Sequence, residues 1–159
     1  REAKAKGLRV TAEVAAHNLV LDDSTIASFD THYKTLPPLR EQTEIEALKA
    51  GLQDGTIDVI CSDHSPEDIE NKQLEFSHAA YGIASIETAF SNALAGTDGI
   101  LKLEQVIEKM AVNPRKILGI EVPTVDAGQT ANLTLFDPTC EWVPTNESWQ
   151  SKSKNSPFF

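Results

Sequence analysis

The sequence has no run of 18 or more apolar residues, so no segment reads as a membrane-spanning helix. Its opening, REAKAKGLRV, lacks the apolar core of a secretion signal. Basic residues are scarce: 14 Lys and Arg stand against 24 Asp and Glu, for a formal net charge of −10. An acidic surface of this kind repels phosphate backbones, so nucleic acid is not an expected partner. Cysteine is nearly absent. Cys61 and Cys140 form no metal-type pair, and Cys61 lies in an apolar run where a buried free thiol is expected. That usage fits a reducing cytoplasm. Internal repeats and low-complexity stretches are also missing. What remains is an ordinary globular composition, 40% hydrophobic and 24% charged, in a length that suits one domain. The chain opens at Arg1 on what reads as the last turn of a helix and stops at Ser-Pro-Phe-Phe without a closing element. Both ends are therefore expected to be cuts in a longer protein.

Along the chain, residues 8–14 alternate, with Leu8, Val10, Ala12 and Val14 on one face, and read as a strand. His17 and Asn18 follow at its exit. Residues 22–31 are polar and suit a short helix or loop. Pro37-Pro38 holds residues 33–40 extended. A helix should then begin at a Thr43/Glu46 capping box, bury Ile45, Leu48 and Leu52, and stop at Gly55. Residues 57–62 (IDVICS) are mostly apolar, as in a strand buried on both faces of a parallel sheet. Helices are expected over 85–95 and 103–111, with another started by Asn113-Pro114 and ended by Gly119. Residues 131–136 and 141–143 read as short strands. The fold class is therefore α/β. A complete eight-stranded α/β barrel takes about 250 residues, so the chain holds only part of one.

The chemistry-bearing segment is Ser62-Asp63-His64-Ser65-Pro66, directly after the buried strand. A carboxylate at the C-terminal end of a barrel strand lies on the catalytic face, where it can bind a cation and take a proton from an attacking water. The plain alternative is that Asp63 caps the next segment through its side chain. His64 need not share its target, because neighbours on an extended chain point opposite ways.

Six segments in order, VTAEVAAH (10–17), PPLR (37–40), DGTIDVICSDHSP (54–66), YGIASIETAF (81–90), NPRKILG (113–119) and GQTANLTLFD (128–137), resemble dihydroorotases of the multifunctional-complex type, within the cyclic amidohydrolase superfamily. The resemblance covers nearly the whole chain. It implies the C-terminal portion of a metal-dependent-hydrolase TIM barrel over 1–120, followed by part of a small β-sandwich over 121–159. It also implies interconversion of N-carbamoyl-L-aspartate and L-dihydroorotate in pyrimidine synthesis, with one or two zinc ions. By motif, Asp63 is the zinc-binding carboxylate and general acid/base. The family's other metal ligands are not in this chain. A catalytic zinc needs about three protein ligands, so the chain alone is expected to be inactive and without its zinc.

Two substrate positions depart from the pattern. Leu36 stands where the family has an asparagine, and leucine offers no hydrogen bond. Glu67 stands where the family has a histidine, and its charge opposes an anionic substrate. Tyr81-Gly82 matches a backbone contact to the substrate ring, although on the residues alone an ordinary turn before the helix at 85 is the favoured reading. His17 reads as a packing or supporting residue rather than a metal ligand, and His32 and His78 as surface residues. Arg40 reads as an ion-pair partner of Glu41 and Glu44. Trp142 and Trp149 read as packing residues of the sandwich. Two rival functions stand beside the enzyme: a non-catalytic structural partner of aspartate transcarbamoylase, and an allantoinase or hydantoinase. A partial barrel exposes apolar edges, so self-association is also expected.

Overall fold

The computed structural model describes residues 1–159. Its centre is one βαβ unit. Strand β1 (Glu13–Ala15) leads through three short 3₁₀ turns into helix α2 (Gln42–Gln53), and the chain returns as strand β2 (Val59–Cys61). A single helical turn, α1 (Glu2–Ala5), precedes β1. The strands pair in parallel, with Glu13 opposite Val59, Val14 opposite Ile60 and Ala15 opposite Cys61. Beyond β2 come α3 (Ile69–Lys72), α4 (Ala89–Gly96) and α5 (Leu103–Ile107). A π-helical turn (Glu108–Val112) then leads into α6 (Asn113–Leu118). No helix is long and apolar enough to cross a membrane.

The core forms where the helices close over this sheet. Val14 and Ile60 bury against Ala16, Leu19, Leu52, Ile57, Ala89, Ala93 and Val106. Helix α4 packs on the turn after β1 through Gly96, where a Cβ would lie 2.5 Å from Leu19 Cβ. Two side chains from the far end of the chain tie down the backbone entering β2: Lys109 Nζ donates to Ile57 O at 2.8 Å, and Asn113 Nδ2 donates to Asp58 O at 2.9 Å.

Several expectations from the sequence are corrected here. The strand over 8–14 shrinks to Glu13–Ala15. Asp58 N donates to Ala12 O, and that bond marks where the pairing starts. Upstream of it there is no strand to pair with, and Leu8 and Val10 are exposed. Helix α2 begins after Glu41 rather than at a Thr43/Glu46 box. Asn113 is the first residue of α6, not its cap, because the π-helical turn runs straight into it and its amide is committed to Asp58. Gly119 does end that helix in the left-handed conformation, φ 68°. Neither 131–136 nor 141–143 is a strand. Leu133, Leu135 and Val143 are exposed and no ladder forms there. β-propensity needs a partner strand to act on, and none runs alongside. Trp142 is 44% exposed and borders a surface hollow with Asn92 and Phe158 instead of packing in a sandwich. Trp149 is buried against Phe159 and donates its indole N–H to Ser153 O.

Candidate active site

Both strands end at one opening. A cavity of about 300 Å³ is bounded by Glu13, Ala15 and Cys61 from the strands, and Asn18 and Asp63 from their exits. Pro37, Pro38 and Arg40, with Glu44 of α2, close its other side. Asp63 lies two residues beyond β2 and is exposed to this space. Its φ is 49°, a left-handed conformation that few residues other than glycine, asparagine and aspartate adopt readily. The chain turns there and immediately makes a bridge between His64 and Ile83.

His64 faces a different task. Its Nδ1 accepts the backbone N–H groups of Ser85, at 3.1 Å, and Ile86, at 3.2 Å. Ser85 Oγ donates to Ser62 O at 2.6 Å. The loop that carries Asp63 is thus stitched to residues 83–86 on both sides of the aspartate. His17 is buried at 1% exposure, and neither ring nitrogen has a partner. Burial lowers its pKa, and the Asp63 carboxylate pulls it partly back up. A neutral imidazole beside the carboxylate follows. Burial, aided by Glu13 and Asp63, pushes the Cys61 thiol up to about 11. Cys61 is therefore a protonated thiol at neutral pH and a poor nucleophile.

The other expected site residues do not line this cavity. Leu36 is 67% exposed, although its neighbour Pro37 is part of the wall. Glu67 borders a separate hollow with Asp68, Lys152 and Lys154, and its carboxylate accepts from Asn71 Nδ2 at 3.0 Å. Tyr81 is half exposed, with Lys34 Nζ 4.5 Å from the centre of its ring. Gly82 is buried with φ 123°, and a Cβ there would lie 2.5 Å from Ser65 Cβ. The pair is therefore more than an ordinary turn: only glycine allows the two backbones to approach so closely. Arg40 has no ion pair. Its side chain borders the cavity instead of bridging to Glu41 or Glu44. His32 pairs with Asp30 at 2.8 Å, and His78 is exposed beside Glu75.

Sequence reasoning missed three buried side chains that hold the loop carrying Tyr81 and Gly82. Lys34 Nζ donates to Ser77 O and Ala79 O, and Lys72 Nζ donates to Ala80 O and Gly82 O. Burial lowers the pKa of Lys72 against the opposing pull of Glu67. Asn155, the third, reaches in from the end of the chain. Lysines and asparagines in polar stretches carry no signature of burial, so no signal in the sequence singles them out.

A zinc ion, which the resemblance implies, does not fit the donors of this chain alone. No group of three His, Cys, Asp or Glu side chains stands close enough to hold a metal. Zinc sites draw on about three protein ligands, and this chain brings fewer to the cavity: the Asp63 carboxylate lines it, and the buried His17 imidazole, with neither ring nitrogen bonded, feels the charge of Asp63.

Comparison with known proteins agrees with the six-segment resemblance. Curated dihydroorotases from Syntrophus aciditrophicus, Geobacter metallireducens and Thermoanaerobacter sp. are 42%, 44% and 43% identical over 99–100% of the chain. The chain spans only 37–38% of their length. Among solved structures, a D-hydantoinase aligns with a TM-score of 0.66 and 29% identity, over 72% of this chain and 27% of that one. A dihydropyrimidinase from Brevibacillus agri aligns with a TM-score of 0.68 and 27% identity, over 75% and 28%. The amidohydrolase family model matches residues 2–158, and the chain belongs to the amidohydrolase family.

Proposed function

We propose that this chain is the C-terminal part of a dihydroorotase, in which Asp63 carries the proton during hydrolysis and closure of the dihydroorotate ring. The single observation that supports this most is Asp63 itself: a carboxylate at a strand end, held in a left-handed turn and open to the cavity. In the hydrolytic direction a water oxygen attacks the ring amide carbon. Asp63 takes a proton from that water and delivers it to the ring nitrogen as the carbon–nitrogen bond breaks. The reverse sequence closes the ring of N-carbamoyl-L-aspartate. Zinc, if the whole protein uses it, takes its remaining ligands from outside these 159 residues, with Asp63 as one donor. The resemblance assigns Tyr81 and Gly82 to the substrate, but in this chain neither lines the cavity, and the Gly82 N–H and C=O are bonded to Lys34 O and to the Lys72 and Asn155 side chains. Leu36 and Glu67 supply neither a hydrogen-bond donor nor a matching charge, so substrate recognition here rests on other groups.

In the whole protein we read residues 1–120 as the end of the barrel. We read 121–159 as part of a small sandwich whose partner strands lie elsewhere, since the apolar residues of 133–143 are exposed in this chain. A cytoplasmic enzyme acting on a small molecule, as a homo-oligomer or beside aspartate transcarbamoylase, fits this reading. The structural-partner reading draws on Glu67, whose carboxylate is bonded to Asn71 rather than offered to a substrate. The hydantoinase reading draws on the fold neighbours. The test is a substrate panel with the full-length protein: L-dihydroorotate, allantoin and a hydantoin under one set of conditions. Hydrolysis of dihydroorotate at least tenfold faster than the others is expected. Preference for another ring moves the enzyme to that branch, and inactivity on all three leaves the structural partner.

A further inference from the structure

The last residues of the chain turn back onto the loop that follows Asp63. Asn155 is 3% exposed and lies 90 residues from Ser65 in sequence, yet its amide joins two backbone segments. Its Nδ2 donates to Ser65 O at 3.0 Å and to Gly82 O at 3.1 Å, and its Oδ1 accepts Glu67 N at 3.1 Å. Its own carbonyl accepts Ala84 N at 2.9 Å. Ser153 Oγ doubles the hold on Glu67, donating to Glu67 O at 2.6 Å and accepting Glu67 N at 3.2 Å. A second anchor lies nearby, where the Glu87 carboxylate accepts the N–H groups of Gln150 and Ser151.

Every polar atom of the Asn155 amide is used, and its partners are backbone groups and the Ser153 hydroxyl. Such an amide carries no chemistry of its own, but it sets the distance between two strips of backbone. Those strips are 65–67, continuous with Asp63, and 82–84, which carries Gly82. Gly82 O receives a second buried donor, Lys72 Nζ at 3.2 Å, so the orientation of the peptide after Gly82 is fixed from two sides.

We propose that Asn155 is a positioning residue: it clamps the loop after Asp63 against the Gly82 segment, and through that spacing it sets the affinity for the cyclic amide substrate. This rests on the dihydroorotase reading for the identity of the substrate but not for the clamp. Its effect should fall on KM, because the clamp spaces the Tyr81-Gly82 loop, which the dihydroorotase reading assigns to the substrate, while Ser62 and His64 are held to residues 85–86 without it and keep Asp63 in place.

The test uses the full-length protein with Asn155→Ala and Ser153→Ala. Asn155→Ala is expected to raise amide hydrogen exchange in peptides covering 65–69 and 82–86 by about tenfold or more, the loss of roughly one or two net hydrogen bonds. It should raise KM for whichever cyclic amide the enzyme hydrolyses by a similar factor, with kcat held within about threefold. Ser153→Ala removes the hydroxyl's bonds to Glu67 and to Asn155 and leaves Asn155's own bonds to Ser65, Glu67 and Gly82, so it should raise exchange at 65–69 less than Asn155→Ala does and leave 82–86 unchanged. Unchanged exchange in both peptides overturns the clamp. Raised exchange with unchanged KM, or a fall in kcat at constant KM, overturns its role in substrate affinity. If Asn155→Ala does not fold, unchanged exchange at 65–69 in Ser153→Ala overturns the proposal, and a rise confined to that peptide supports it. If the full-length protein hydrolyses no cyclic amide, the dihydroorotase reading fails and takes the KM claim with it, and exchange alone decides the clamp.

Discussion

Asp63 and Gly82 both sit in backbone conformations that most residues avoid, Asp63 at the cavity and Gly82 where its loop meets Ser65. For Gly82 the constraint is twofold, a φ of 123° and Ser65 Cβ only 2.5 Å from where a Cβ would stand. Gly82→Ala is therefore expected to destabilise the protein by about 2–4 kcal/mol, read as a lowered denaturation midpoint, since strain and overlap add. A loss under about 0.5 kcal/mol would mean that the 65–67 and 82–84 segments move apart freely, against the clamp described above. Cys61 gives a second check at this scale. With its thiol raised to about 11 by burial, alkylation at neutral pH should label the exposed Cys140 and spare Cys61 until the solution is strongly alkaline. Labelling of both at equal rates contradicts the half-buried setting at the end of β2. At this scale the sequence was uneven as a guide. Asp63 was legible because an apolar strand ran straight into it. The buried amines of Lys34 and Lys72 were not, because their partners are carbonyls of a loop whose path no local pattern encodes.

Among the elements, the βαβ unit depends on the ion pair that closes its lower end. Lys4 Nζ contacts both Asp58 carboxylate oxygens at 2.7 Å, and Ala12 N donates to the same carboxylate. Burial alone pushes the Asp58 carboxyl up, but the Lys4 bonds and the Ala12 N–H outweigh it and hold the pKa below its ordinary value. A carboxyl with a lowered folded-state pKa binds its proton more weakly folded than unfolded. Its contribution is whole above about pH 5 and is lost as pH falls below the ordinary value of about 3.9. Lys4→Met should therefore lower stability at neutral pH by about 1 kcal/mol and flatten the acid limb of the stability profile. An acid limb identical to that of the unaltered protein would remove the pair from the account. Periodicity found α2 and β2 because each meets a partner along its whole apolar face: Ile45 and Leu52 are buried in α2, and Ile60 in β2. The same logic overextended β1 and drew strands over 131–143. Alternation records what a segment can pair with, and it does not record whether a neighbour is there.

At the scale of the molecule, two parallel strands with an unpaired edge on either side form a very small sheet, and the exposed Leu133, Leu135 and Val143 add unburied apolar surface. Such surfaces are met in the complete proteins of this family by strands outside the 37–38% of length that the chain represents, on the reading proposed here. That division explains what the sequence could tell. On that reading the end of the barrel and its aspartate lie within the chain, and within it no three His, Cys, Asp or Glu side chains stand close enough to hold a metal. The most direct measurement is L-dihydroorotate hydrolysis by the full-length protein carrying Asp63→Asn, beside the unaltered protein. Asparagine keeps the size of the side chain and removes its ability to accept a proton, so kcat should fall by about a thousandfold or more, with the fold intact by circular dichroism. Retention of more than about a tenth of the activity contradicts the account, because the proton would then travel by a route that does not include Asp63.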